Sequence, residues 1–344
     1  MAGRFITILL LVVFAAVCIG DARMPGAIAQ EGTQTTAVDD AYKQAMEKRR
    51  AAEPIEDRLA ITKAFLDQYP ESKYTARSIG AVVYYYGRLD DMPGAVAYTE
   101  ALRAKISDAT IARDVDKEMI VMYGEAGMTD KMIALADGLA AEDALDFGDY
   151  WSIIEIGIDS ENWKLARDYC GRAEPLANAE AFRANYPDED FTDEEIEKAG
   201  DNRKGMLLVK GGWARANQGE IDEALADFAQ ADGLVRRSYL DVPEYNLNLY
   251  WGKTLMMKGD FRNAGKRFAA DALVMGNDDA HDGLRKAYIE VNGGEDGFKA
   301  YAVNLHKSIA KPMQSFELPD YNGKRHRYDN LKGNVTLVAF WFPT

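Results

Sequence analysis

Reactive side chains are sparse in this chain of 344 residues. Its thiols are Cys18 and Cys170, and its imidazoles are His281, His306 and His326. The histidines are scattered without metal-ligand spacing, so no zinc or iron site and no cofactor is implied. There is no G-x-S-x-G elbow, no phosphate-binding P-loop and no dinucleotide fingerprint. The acidic run from Pro187 to Glu195 could suggest calcium, but it lacks EF-hand spacing and a glycine at its turn. Thr192 with Glu195 instead forms a capping box, with carboxylates where a helix N-terminus favours them. What remains is a short run near the end, Phe340-Trp341-Phe342-Pro343-Thr344.

The segment leading to it reads Pro312-Met313-Gln314-Ser315-Phe316-Glu317-Leu318-Pro319-Asp320-Tyr321-Asn322-Gly323-Lys324. Leu331-Lys332-Gly333-Asn334 and the apolar run Val335 to Phe342 follow. This resembles the start of TlpA-like and redoxin-type thiol-disulfide oxidoreductases, over about the last 33 residues. Their pattern is F-x-L-x-D-x-x-G-K, then L-x-G-K, a hydrophobic strand, F-W-A-T-W and C-x-x-C. Asn334 stands where the family usually has lysine, and Phe342-Pro343-Thr344 replaces A-T-W. The resemblance implies that Trp341, Phe342, Pro343 and Thr344 flank a nucleophile expected immediately after Thr344. A thiolate or selenolate there, acidified by a helix N-terminus, would attack a substrate disulfide, and a second cysteine would resolve the mixed intermediate.

The residues around that run need partners to position them. Asn322-Gly323 between Phe316–Leu318 and Arg325–Tyr328 is a two-residue hairpin signal, because both tolerate positive φ. Val335 to Phe342 lacks alternation, as a central strand covered on both faces would. Such a strand needs neighbours on each side, so the sequence is expected to be incomplete and the chain as it stands inactive. A UGA codon read as selenocysteine is one explanation for that position; a frameshift, a contig edge or a nonsense mutation is the rival. The alternative is a genuine C-terminal strand docked on the preceding helices.

The middle of the chain reads as helical hairpins. Gly212-Trp213 matches Gly252-Lys253, Gly219-Glu220 matches Gly259-Asp260, Ala224 matches Ala264 and Phe228 matches Phe268, all at an offset of 40 residues. This resembles the tetratricopeptide repeat, whose usual period is about 34, with an insertion around Leu240-Asp241-Val242-Pro243. Fainter copies lie at Ile79–Leu102 around Ala95, at Met119–Leu139 with a turn at Gly127, and at Glu161–Ala173, where Ala166 takes the alanine position. About five hairpins are expected between residues 40 and 310. In this register Cys170 takes the place of Phe228 and Phe268, which makes it a buried spacer; a resolving cysteine is the sharper alternative. Tyr84-Tyr85-Tyr86 lies on one helix, where consecutive residues face different ways, so at least one should be exposed.

Composition narrows the class further. A content of 47% hydrophobic and 28% charged residues is that of a globular protein. The net charge of −15 argues against nucleic acid or anionic lipid as a partner. Arg4, the apolar run Phe5–Ile19 and Ala27-Ile28-Ala29 before Gln30 read as a secretory signal, with export to the periplasm or beyond. No stable membrane insertion is expected after cleavage, although retention as an uncleaved anchor is the alternative. Val17 is a poor residue before a lipidated cysteine at Cys18. With Cys170 alone left after cleavage, no intrachain structural disulfide is available, and packing must hold the helices.

The expected organisation is a signal peptide (1–29), a linker (30–40), a tetratricopeptide-like helical domain (41–310) and the opening of a thioredoxin/redoxin-like domain (311–344). The fold class is mainly α, a helical-hairpin array followed by the first hairpin and strand of an incomplete thioredoxin-like α/β domain. The resemblance implies an exported thiol-disulfide oxidoreductase whose helical array selects a protein or peptide partner, one that can itself carry disulfides. Two readings stay open beside it: a periplasmic repeat scaffold without enzymatic activity, and a redoxin-type peroxidase.

Overall fold

The computed structural model describes residues 37–238, 240–309, 317–319, 323–327 and 329. The protein is mainly helical. The expected signal segment (1–29), the apolar run Val335–Phe342 and the four flanking residues Trp341, Phe342, Pro343 and Thr344 lie outside the described residues. The helices fall into two compact units, one up to Leu89 and one from Asp90 on.

The first unit holds α1 (Ala37–Ala51), α2 (Ile55–Gln68) and α3 (Thr75–Arg88). Leu59, Phe65 and Leu66 of α2 pack with Ile79, Val82 and Val83 of α3, all buried. These spacings place one apolar stripe on each helix. Tyr42 of α1 stacks flat on Tyr74, with ring centroids 3.8 Å apart, and meets Phe65 edge-on. Of the three consecutive tyrosines, Tyr85 and Tyr86 are buried and Tyr84 is half-buried. Lys63 Nζ donates to the Tyr86 hydroxyl at 3.0 Å.

The second unit contains α4 (Met92–Arg103), α5 (Ala109–Glu125), α6 (Thr129–Ala141), α7 (Phe147–Asp159), α8 (Trp163–Ala173) and α9 (Ala179–Asn185). It continues with α10 (Asp193–Asn217), α11 (Ile221–Ala231), α12 (Leu247–Lys258), α13 (Phe261–Leu273), α14 (Asp278–Asn292) and α15 (Phe298–Ile309). Side-chain caps set many of the starts. Asp108 accepts from Thr110 and Ile111 N–H, and Asp146 with Asp149 forms a reciprocal capping box, as do Thr192 and Glu195. The acidic run before α10 therefore meets its expected structural use.

Neighbouring helices pack as pairs α5/α6, α7/α8, α10/α11 and α12/α13, and α14 closes on α13. The correspondence at 40 residues is visible in the contacts. Gly212 of α10 lies against Phe228 of α11, where a Cβ would sit 3.0 Å from Cε1. Gly252 of α12 lies against Phe268 of α13, where a Cβ would sit 2.5 Å from Cε1. Ala224 and Ala264 are fully buried at the helix crossings. Gly219 and Gly259 turn the chain at φ +91° and +80°, a region that L side chains rarely adopt. In each pair the glycine lets a phenylalanine ring come close against the neighbouring helix. Phe268 is gripped twice, because a Cβ on Gly283 of α14 would also lie 2.7 Å from its Cζ.

Past the helices, β1 (Glu317–Pro319) and β2 (Arg325–Arg327) pair antiparallel, with Glu317 opposite Arg327 and Pro319 opposite Arg325. The register differs from that of a two-residue turn at Asn322-Gly323, which would place Leu318 opposite Arg327 rather than opposite His326. The reason lies in the pairing: Glu317 accepts from Arg325 Nη1 at 2.9 Å and from Arg327 Nε at 2.8 Å, which fixes a register set by charge on exposed strands. Gly323 has a positive φ of 79°.

Candidate functional site

Cys170, on α8, is buried, with its Sγ 3.8 Å from where a Cβ on Gly211 would lie. It fills the space between α8 and α10, as a spacer residue would. Burial pushes its thiol up to about 12, against an opposing pull from Lys210. Thiolate is the nucleophile in disulfide exchange, so this thiol is inert at neutral pH. Iodoacetamide should leave Cys170 unmodified in the folded chain and alkylate it fully in denaturant; mass spectrometry reads the result, and rapid modification of the folded protein would contradict the burial.

Polar and aromatic side chains converge elsewhere, on the faces of α7, α10 and α12. Lys210 of α10 is 3% exposed. Its Nζ lies 2.8 Å from Glu155 Oε1 of α7, 5.5 Å from the Trp151 ring centre and 5.3 Å from that of Tyr250 on α12. Burial alone would lower the ammonium pKa; Tyr250 and Glu155 outweigh it and raise it. Trp213, one helical turn beyond Lys210, stacks on Tyr250 with centroids 4.8 Å apart and an interplanar angle of 5°. Trp163 of α8 meets Trp213 edge-on, and Lys253 Nζ sits 6.0 Å above the Trp213 ring. Tyr245 meets Trp151 edge-on at 5.9 Å. The outcome is a cluster borne on α7, α8, α10 and α12, in which Trp151, Trp163 and Trp213 are half-buried and Tyr250 and Lys210 are buried.

Aromatic rings of this kind offer large contact area at low entropy cost, and their faces attract cations. Trp, Tyr and Arg are the residues that dominate binding energy at protein interfaces.

Beside the cluster, α5 carries a carboxyl group in an unusual state. Burial pushes Glu118 up to about 7, with Asp149 and Asp114 adding like-charge repulsion. Lys117 spends its charge on Asp149 at 2.7 Å. Between about 4.5 and about 7 the folded chain binds more protons than the unfolded one, so stability must fall as pH rises through that window. Glu118→Gln keeps the neutral form. In urea melts the variant should match the wild type near pH 4.5 and exceed it by about 2 kcal/mol at pH 8, discounted from the full shift for the solvent that still reaches the side chain. Parallel pH curves for the two proteins would contradict this.

Among the described residues, no group of three or more His, Cys, Asp or Glu is arranged to hold a metal ion. No helix among them is long and apolar enough to cross a membrane. The sequence reading missed Lys210, Glu155, Trp151 and Tyr250. A signal was available: Lys210 and Tyr250 stand 40 residues apart, as do Trp213 and Lys253, so cation and aromatic exchange places at equivalent positions. Glu155 and Trp151 carry no such mark. Compared with known proteins, the chain matches no family model and no curated protein.

Proposed function

We propose that the helical units hold a protein or peptide partner for an exported thiol-disulfide oxidoreductase of the TlpA-like or redoxin kind. The supporting observation is the pair of half-buried rings Trp151 and Trp213, residue types that dominate interface hot spots, set on the buried Lys210 and Tyr250. The repeated glycine–phenylalanine packing supports a tetratricopeptide-like arrangement, in which stacked hairpins present one extended face. The redox half of the proposal rests on the resemblance of residues 312–344 to the opening of a thioredoxin-like domain. Cys170 contributes nothing to it, because its thiol is buried and protonated.

The product of the whole reading frame at the locus, assayed for insulin disulfide reduction, tests this. The expected result is thiol-dependent reduction that disappears when the first residue after Thr344 is replaced by serine, with insulin binding retained. Binding without any reduction would favour the scaffold alternative and overturn the redox half. Reduction of hydroperoxide in place of insulin would favour a peroxidase.

A further inference from the structure

The segment that lengthens the interval between the two matched hairpins is anchored at both ends. Ser238 N donates to Val242 O at 2.9 Å and Glu244 N to Arg236 O at 3.0 Å, and Val242 and Pro243 are buried. It forms one wall of a cleft of about 580 Å³ whose other walls are α12 and α13. Sites for small molecules run from about 300 to 1,000 Å³. Pro243, Leu255 and Ala270 give this one an apolar lining. Trp251 joins them, held by Arg267 over its face, with Cζ 3.2 Å from the ring centre, and by Phe228, whose ring stacks at 6.2 Å. A lining fixed in this way loses little freedom when a ligand arrives.

The charged rim is spent on itself. Arg237 Nε donates to Asp241 Oδ1 at 2.9 Å and its Nη1 to Asp232 Oδ1 at 3.2 Å, while Arg267 Nη1 donates to Asp232 Oδ2 at 3.0 Å. Lys266 Nζ donates to Asn263 Oδ1 at 3.0 Å, and Asn263 Nδ2 donates in turn to Asp260 Oδ2 at 2.7 Å. Asn263, with Lys266 behind it, holds the Asp260 carboxyl below its ordinary range. Arg237, Lys266 and Arg267 are thus answered by Asp232, Asp241 and Asp260, and a ligand finds no net charge to complement.

One polar atom is left open. Asn248 of α12 is 5% exposed and lines the cleft. Its Nδ2 donates to Asp271 Oδ1 at 3.2 Å, and its Oδ1 has no hydrogen-bond partner among the described residues. Nor is that oxygen sealed, because among the described residues the side-chain atoms that are both sealed and unpartnered belong to Ser78 and Thr99. The Asn248 oxygen therefore opens on the cleft as an acceptor without a donor. An acceptor in so dry a place gains most from a ligand N–H or O–H.

We infer that this cleft binds a small, uncharged, mostly apolar molecule whose N–H or O–H group donates to Asn248 Oδ1. The site is separate from the aromatic cluster and does not depend on the partner-holding role proposed above.

Ligand-observed NMR titration of the full chain with indole and with benzofuran tests it. The probes share a bicyclic frame, and indole alone carries an N–H. Indole should bind saturably with a Kd of about 1 mM or below. Benzofuran should bind about tenfold more weakly, since it leaves the oxygen unpaired. Asn248→Ala should bring the two affinities within about twofold of each other. Ala270→Trp, which fills the cleft, should abolish saturable binding of both, whereas Val303→Trp on the exposed face of α15 should change neither. Indole-3-acetate and tryptamine, the anionic and cationic relatives, should bind no better than indole. Circular dichroism confirms folding, and if Asn248→Ala does not fold, the two probes on the wild type and Ala270→Trp decide the outcome. No saturable indole binding, equal affinity for the two probes, binding that survives Ala270→Trp, or a preference of about tenfold for either charged relative would each overturn the assignment.

Discussion

Replacing Phe268 by alanine should cost about 3–5 kcal/mol of folding stability. The ring is 1% exposed and lies between Gly252 of α12 and Gly283 of α14, so it joins three helices. Truncation leaves a cavity bounded by backbone on both sides, and backbone cannot collapse into it the way flexible side chains would. The reciprocal change makes the same argument from the other direction. Gly252→Ala places a Cβ 2.5 Å from Phe268 Cε1, and the overpacking should cost about 1–3 kcal/mol. Gly212→Ala, with its milder 3.0 Å approach to Phe228, should cost less than Gly252→Ala. Urea denaturation of the three variants gives the order. Equal small losses would mean that the glycine–phenylalanine contacts do not organise the packing.

The second large effect is expected at Lys210. Lys210→Met leaves Glu155 facing an apolar, half-buried surround without its cation, and should destabilise by about 3–5 kcal/mol. The Lys210 side chain is 4% exposed and that of Glu155 16%, so water can do little to compensate either group. Adding Glu155→Gln to Lys210→Met removes the stranded charge and should recover most of the loss, because a buried pair and a neutral pair of similar volume differ little in net stability. A double-mutant cycle over the four proteins measures the coupling directly. Additive single effects would show that the pair is not coupled.

The fold was legible where residue type and position both constrain the backbone. Gly219 and Gly259 mark turns because they must adopt positive φ, and Phe228 and Phe268 mark crossings because a ring needs a glycine opposite. Thr192 and Glu195 announce a helix start through their own hydrogen bonds. Cys170 takes its place in the same register and is buried accordingly. The site was harder to read. Lys210 sits in sequence among Leu208, Val209 and Gly211, and nothing local distinguishes a cation paired 55 residues away from one in solvent. The register of β1 and β2 departs from that of an Asn322-Gly323 turn for a related reason, since Glu317 reaches two arginines across the strands. The turn residues alone do not encode that pairing.

The account depends most on the aromatic cluster being a binding surface. Anisotropy titration of labelled insulin against the full chain, beside Trp213→Ala and Lys253→Glu, tests it most directly. Saturable binding that falls by about tenfold or more in Trp213→Ala, in protein whose helicity is unchanged, is the predicted result. Insulin binding that survives both substitutions intact, or no binding by the wild-type chain, would contradict it.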